Sequence, residues 1–443
     1  MATAIRTDHR RILALTWPVL LANLSLPLVG TVDTAIMGRY PDPSFIGAVA
    51  LGATVFTSVG WLFGFLRMGT TGQVAQAFGR GAISEVTALL QRSLRLAGTI
   101  AAVLLILSPW LLPWLIAGFG ASDSTSARAL SYLGIRVWAL PAMLSYLVLL
   151  GGLFGCQQMR AALVTSLVLN LSSTGLSLLL AVGFDLGLQG IAWGSLIADW
   201  LSALCALAYV QRYLRREGCS LLKPQRTALQ QGQRSNYLSM NLDLLVRSLF
   251  VQAPFLIYAA VGARLGDVVL AANAILMQLF FILVFALDAF AHSAETLAGA
   301  CYGRRDRMRL EQVVQRTLYW SFALAGVGSL VFLLGTDTLV ALLSESDAVR
   351  AEAAQYRFWL VAAPLASALA FQLDGVFIGC TQTRIMRNSM LIAFTGFAAV
   401  IAIGVPRIGN HALWLGLLLF MLLRGALLWR GLTPLYATAG QPD

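Results

Sequence analysis

What most limits this chain is a succession of twelve long apolar runs. They lie at about 12–37, 44–68, 88–118, 129–155, 161–183 and 186–211, then at about 237–261, 267–298, 317–343, 354–379, 388–406 and 410–430. A helix that crosses a bilayer needs about 20 mostly apolar residues. Each run is apolar all round instead of alternating, so helices are expected and transmembrane strands are not. Composition agrees: of 443 residues, 58% are hydrophobic and 12% charged, whereas a soluble domain carries about 25% charge. So few charges cannot cover a water-facing surface. A disordered chain, a disulfide-stapled secreted domain and a nucleic-acid-binding module are excluded on the same ground.

The net charge is +11, and Lys223 is the one lysine among 31 basic residues. Sorted by loop, most of these residues fall on one side of the expected membrane. Arg39, Arg128, Arg264, Arg350 and Arg407 fall on the other side, and Arg67, Arg95, Arg136, Arg247, Arg357 and Arg424 lie in or near spans. Basic loops stay cytoplasmic. The excess therefore reads as topology, with an even number of spans and both termini in the cytoplasm. The run after Arg11 is too long for a signal core and counts as span one. The five cysteines, Cys156, Cys205, Cys219, Cys301 and Cys380, are dispersed and imply no disulfide framework.

The chain repeats itself at an offset of 224 residues. Gly79-Arg80 recurs as Gly303-Arg304, Gln91-Arg92 as Gln315-Arg316, Tyr132 as Tyr356, Gly151 as Gly375, and Gly155-Cys156 as Gly379-Cys380. Six spans per half start both halves on the same side, so the repeat is parallel. The expected architecture is an all-α integral membrane protein. Its twelve transmembrane helices form two six-helix lobes related by a pseudo-two-fold axis along the membrane normal. The lobes are expected at 1–211 and 237–443, joined by a cytoplasmic linker at 212–236. Duplicated halves of this kind build alternating-access transporters, although duplication can also simply enlarge a scaffold.

An ionisable residue inside a span costs about 2.5–3.5 kcal/mol on insertion scales, so each one raises a functional question. Asp33, Asp199, Asp243, Asp288, Glu295 and Asp374 qualify, and where their repeat-mates can be read they are uncharged. Asp33 follows Pro27 and Gly30, which weaken the helix and allow it to bend. An Asp in an apolar cavity can load and release a proton; the plain alternative is an Asp bonded to a neighbouring helix. Asp288, His292 and Glu295 share one helical stripe, suited to a proton relay, to a polar cavity wall, or to a span end facing water. Asp243 and Arg247, at i and i+4, suggest a local structural ion pair. Asp199 has no charge close in sequence, and Asn170, Thr174 and Ser195 could face it.

Several soluble chemistries are missing. The one lysine sits in Leu222-Lys223-Pro224, so no Walker A loop exists, and the three histidines are too far apart for a paired-histidine zinc site. No cofactor is expected beyond protons or sodium as coupling ions. No ATPase subunit and no nucleic acid is implied.

Local motifs carry a family resemblance. Thr31-Val-Asp33-Thr-Ala-Ile-Met-Gly38 resembles the first-helix motif of the multidrug and toxic compound extrusion (MATE) family. Leu188-Gln-Gly190-Ile-Ala-Trp-Gly-Ser195 resembles its sixth-helix start, and Gly379-Cys-Thr-Gln382-Thr-Arg384 its tenth-helix end. Asn241-Leu-Asp243-Leu-Leu-Val-Arg247-Ser248 and Ala286-Leu-Asp288-Ala-Phe290 look like the DNA-damage-inducible F branch.

The resemblance implies an exporter of small lipophilic or cationic compounds, driven by protons or sodium and working as a monomer in the bacterial inner membrane. It implies that Asp33 is the coupling acid, that Asn170 and Ser195 belong to an N-lobe ion site, and that Asp374 matches a C-lobe cation-site acid of another branch. Thr174 stands where relatives carry Asp, which puts a full sodium site in doubt; Asp199 is the substitute carboxylate. The alternatives are a flippase for lipid-linked precursors, which needs basic residues for phosphates, and an intramembrane enzyme using Asp288, His292 and Glu295.

Overall fold

The computed structural model describes residues 8–37, 42, 44–223 and 231–440, apart from the side chains of 26–29, 31 and 231–236. The helices are α1 (His9–Met37), α2 (Ser44–Leu62), α3 (Phe65–Gly79), α4 (Ile83–Ala117), α5 (Asp123–Arg136), α6 (Leu140–Gly155), α7 (Met159–Leu178) and α8 (Gly187–Arg216). They continue as α9 (Gln231–Arg264), α10 (Asp267–Gly303), α11 (Arg307–Leu343), α12 (Asp347–Gln355), α13 (Arg357–Gly379), α14 (Thr383–Ile408) and α15 (Asn410–Ala439). Among the described residues, 11 helical stretches are long and apolar enough to cross a membrane. α1, at 29 residues, has the length to be the twelfth.

Several crossings are broken helices. α2 and α3 form one stretch with a turn at Phe63 and Gly64, and α5 passes into α6 through a 3₁₀ turn at Val137–Ala139, directly after Arg136. α7 ends in a π-helical turn at Leu179–Gly183. Most helices overrun the apolar runs that announce them: α11 begins at Arg307, not near 317, and α8 extends to Arg216. Hydropathy measures the hydrocarbon layer, whereas the backbone ladder continues into the polar interface.

The chain packs as two compact units, one of Leu21–Leu229 and one of Met1–Leu20 with Gln230–Asp443. The division falls inside α1, while the lobes read from the apolar runs count all of that helix with residues 1–211. Two bonds hold its first half to the second unit. Trp320 Nε1 donates to His9 Nδ1 at 3.0 Å, and the Thr16 and Ser293 hydroxyls meet at 2.8 Å. The expected linker is also shorter as irregular chain, because α8 reaches Arg216 and α9 starts at Gln231. Gln91 of α4 donates to the carbonyls of Leu221 and Lys223 and fastens the start of this connection.

The repeat is visible in the backbone. Gln157 and Thr381 both adopt positive φ, and so do Gly81 and Arg305, each pair at the same offset. The bonds from Gln158 N to Leu153 O and from Gln382 N to Phe377 O close equivalent helix ends. One close helix crossing recurs as well. A Cβ on Gly151 would sit 2.6 Å from the carbonyl oxygen of Arg67, and one on Gly375 2.1 Å from that of Ala291. Lipid is as apolar as leucine, so close packing through small residues replaces hydrophobic burial as the force between helices. Outward faces carry large apolar side chains: Ile106, Trp110 and Trp114 form one exposed stripe on α4.

Candidate functional site

In the unit Leu21–Leu229, the polar residues converge on α7. Asn170, Ser173, Thr174 and Ser177 fall at i, i+3, i+4 and i+7, one face of the helix. That face is set by close packing of α7 against α8. Gly194 of α8 lies against the backbone of Ser177, where a Cβ would come within 2.6 Å, and Gly190 lies equally close to Ala181. The glycines of the Leu188–Ser195 motif therefore seat α8 on α7.

Along this face, the buried Asn170 donates to Ser25 Oγ of α1 at 2.6 Å, and the Ser173 and Ser195 hydroxyls meet at 3.1 Å. Thr174 is half-buried one turn beyond Asn170. Asp33 is 7% exposed, with Ser177 beside it. Its Oδ1 has no hydrogen-bond partner among the described residues. α1 runs unbroken past residues 27 and 30; the Pro27 side chain lies outside the described residues, and Gly30 has open space around it.

Asp199 is placed differently from the expectation. It accepts from Arg136 Nη1 at 2.7 Å, with both side chains buried, and the guanidinium stacks 3.9 Å from the ring centre of Phe56. Its charge is thus met by arginine, and Asn170 and Ser195, two of the three residues expected to face it, bond Ser25 and Ser173 instead. Tyr132, one turn before Arg136, lies in the electrostatic field of Asp33, Arg136 and Asp199. Arg136 and Asp199 cancel, leaving Asp33 as the intramembrane acid of this unit without a salt bridge among the described residues. Sequence reasoning missed Ser25, Ser173, Ser177, Tyr132 and the role of Arg136. The α7 stripe was readable from its spacing; the Arg136 partner, 63 residues away, was not.

In the other unit, Asp374 of α13 is buried between two arginines. Arg247 of α9 and Arg424 of α15 both donate to its Oδ2, and Arg424 is 1% exposed. A cation site at Asp374 would need a carboxylate open to a mobile ion, whereas two tethered guanidinium groups already occupy it. Asp243 and Arg247 do not form the local pair expected from their spacing. Asp243 accepts from Arg387 Nη1 at 2.6 Å and from Thr383 Oγ1 at 3.0 Å, both on α14, while Arg247 goes to Asp374. A position four residues on shows which side chains share a helix face, not which neighbouring helix offers the better partner.

The α10 stripe is assembled by the fold. His292 Nε2 lies 3.1 Å from Asp288 Oδ2, and His292 Nδ1 lies 3.1 Å from Glu295 Oε2. The span does not end at the stripe, since α10 continues to Gly303, and within it Glu295 is 1% exposed while the Asp288 side chain is 41% exposed. No cluster of three or more His, Cys, Asp or Glu suited to a metal ion occurs among the described residues.

Eleven helical stretches able to cross a membrane, with α1 long enough to be a twelfth, and charged side chains buried within them define a multi-span membrane protein. The MatE family model matches residues 18–180 and 244–403, and the chain belongs to that family of multidrug and toxic compound efflux transporters. The chain is 37% identical over 421 residues to DNA damage-inducible protein F of Escherichia coli (strain K12), covering 94% of this chain and 91% of that protein. It is 25% identical to a probable multidrug resistance protein NorM of Acinetobacter baylyi, covering 93% of each. A solved outward-facing conformation of a multidrug resistance MATE family transporter of the MOP superfamily superposes with a TM-score of 0.85 at 16% identity, covering 97% of this chain and 96% of that one.

Proposed function

We propose that this chain is a proton-coupled antiporter that exports lipophilic, often cationic compounds by alternating access, with Asp33 as its coupling acid. The observation that carries the reading is the state of Asp33: buried in a span, without a salt bridge, and beside the hydroxyl of Ser177. A proton needs one oxygen. A metal ion needs several convergent oxygens, and here the second buried carboxylate of the unit, Asp199, is bonded to Arg136. Ionised Asp33 attracts a cationic substrate, and its protonation removes that attraction. Pro27 and Gly30 give α1 a place to bend as the charge changes.

The driving force is adequate. A charge crossing 100 mV gains about 2.3 kcal/mol, roughly fifty-fold accumulation for one proton. The protein acts as a single chain in the bacterial inner membrane, and the arginine distribution supports cytoplasmic termini. The probable multidrug resistance protein among its relatives supports the substrate class. A lipid-linked precursor flippase is disfavoured, because Arg136, Arg247 and Arg424 each hold a buried carboxylate and do not line a phosphate site.

The test is resistance in cells hypersensitive to cationic dyes. Asp33→Asn is expected to abolish resistance at unchanged expression, and full resistance from that variant refutes the mechanism.

A further inference from the structure

The α10 stripe takes no part in the chemistry of Asp33. We propose that Asp288, His292 and Glu295 form a second proton-binding site, a relay that accepts a proton at Asp288 and stores it at Glu295. The proposal rests on ion-driven export as the activity and adds a site to the reading above.

Proton counting comes first. The two contacts of His292, to Asp288 and to Glu295, are each 3.1 Å long. A carboxylate oxygen only accepts, and so does an imidazole nitrogen without hydrogen. Each contact is a hydrogen bond only when a proton lies in it, so the pair of bonds holds two protons. Either His292 is cationic between two carboxylates, or it is neutral beside one carboxylic acid. Both arrangements carry a net charge of −1. Removing one proton sets lone pair against lone pair across one contact, so that proton has a defined place to leave and to return.

The transfer step balances. It begins with Asp288 protonated and neutral His292 carrying its hydrogen on Nδ1. The Asp288 proton moves to Nε2 while the Nδ1 proton moves to Glu295 Oε2. One O–H and one N–H bond break, and one N–H and one O–H bond form. The products are an Asp288 carboxylate, a neutral imidazole protonated on Nε2, and a Glu295 carboxylic acid. The tautomer is inverted, and the reverse transfer restores it.

Exposure gives the relay its direction. The side chain of Asp288 is 41% exposed, that of His292 10% and that of Glu295 1%. Asp288 is thus the accessible end of the relay and Glu295 its enclosed end. The neighbouring helices fit this arrangement. From α15, Arg424 acts electrostatically on Asp288 and faces the negative charge that transfer leaves there. From α13 comes Asp374, already held by Arg424 and by Arg247 of α9. The backbone of α13 closes over the inner end, since a Cβ on Gly379 would lie 2.1 Å from the Glu295 carbonyl oxygen. α11 lays Trp320 flat against Phe290, and Thr16 of α1 bonds Ser293, next to His292. α12 joins the apolar cluster around Ala272–Val284, away from the stripe.

The Glu295 repeat-mate is Thr71, bonded to the Arg67 carbonyl, and the His292 repeat-mate is Met68. The relay thus belongs to one half alone.

Purified full-length protein in lipid, followed by infrared difference spectroscopy on acidification, tests the assignment. Wild type is expected to show two carboxyl components. Asp33→Asn removes one, Glu295→Gln removes the other, and His292→Gln diminishes the Glu295 component by cutting the relay. A carboxyl signal in Glu295→Gln equal to that of wild type overturns the proposal, whether or not that variant still transports. In proteoliposomes given ethidium, Glu295→Gln and His292→Gln are expected to move fewer protons per dye molecule, and an unchanged ratio in both contradicts the site. Failure of the Asp33 reading shows separately, as undiminished ethidium transport by Asp33→Asn with the Glu295 signal intact.

Discussion

Arg136 and Asp199 meet at 2.7 Å inside the membrane domain, and this one bond satisfies one of the two buried acids of the first unit among the described residues. Both side chains are buried, so neither charge is met by water. With Asp199 satisfied, Asp33 is the remaining intramembrane acid of that unit among the described residues.

The pair gives a stability prediction. Arg136→Met leaves Asp199 as an uncompensated buried carboxylate and should cost about 3–5 kcal/mol. Arg136→Met combined with Asp199→Leu removes both charges and should recover most of that loss. Thermal unfolding of the purified variants checks this, and a double variant as unstable as the single would show that the bond is not what Arg136 supplies.

The clamp on Asp374 predicts an asymmetry. Asp374→Asn leaves the buried Arg247 and Arg424 facing one another without their shared anion, whereas Arg247→Met leaves Asp374 still bonded by Arg424. Asp374→Asn should therefore lower the melting temperature much more than Arg247→Met. Because tethered guanidinium groups fill the acid, adding sodium should not raise the melting temperature of wild type; a sodium-dependent rise would contradict this.

Two glycines hold the α10–α13 crossing. Gly375→Ala and Gly379→Ala drive a methyl group against backbone carbonyl oxygens of α10 and should sharply reduce folded protein. Gly98→Ala and Gly326→Ala, with nothing within 4 Å of the added atom, serve as controls and should be neutral or slightly stabilising. Size-exclusion yield and melting temperature report both outcomes.

Outside the spans, Asp42 predicts a pH effect. The Ser44 backbone N–H, donating at 2.9 Å, holds the Asp42 carboxyl below its ordinary range, with Arg128 adding to the effect. A depressed folded-state value stabilises above the ordinary carboxylate range and is lost as pH falls through that lower value. Protection of the first turn of α2 in hydrogen exchange should fall there in wild type, and should not depend on acid in Asp42→Asn.

Much of the fold was legible because lipid simplifies the code. The spans follow from apolar length, and the duplication follows from matches such as Gly155-Cys156 with Gly379-Cys380, which reappear as matched helix ends with positive φ at Gln157 and Thr381. Asp33 was legible because a lone acid in an apolar run is conspicuous. The partners were not. Asp243 reaches Arg387 over 144 residues, and Arg424 reaches Asp374 over 50. Which distant charge meets which depends on helix rotation and packing, and apolar periodicity fixes neither where a span is apolar on every face. The split of α1 was hidden for a similar reason, since one continuous helix carries no sequence mark where its neighbours change.

Coupling through Asp33 is tested most directly by ethidium transport in proteoliposomes under an imposed pH gradient alone and then a sodium gradient alone, for wild type and Asp33→Asn. Wild type should transport under the pH gradient and not under the sodium gradient, and Asp33→Asn should transport under neither. Wild-type rates from Asp33→Asn under the pH gradient, or sodium-driven transport by wild type, would contradict proton coupling at Asp33.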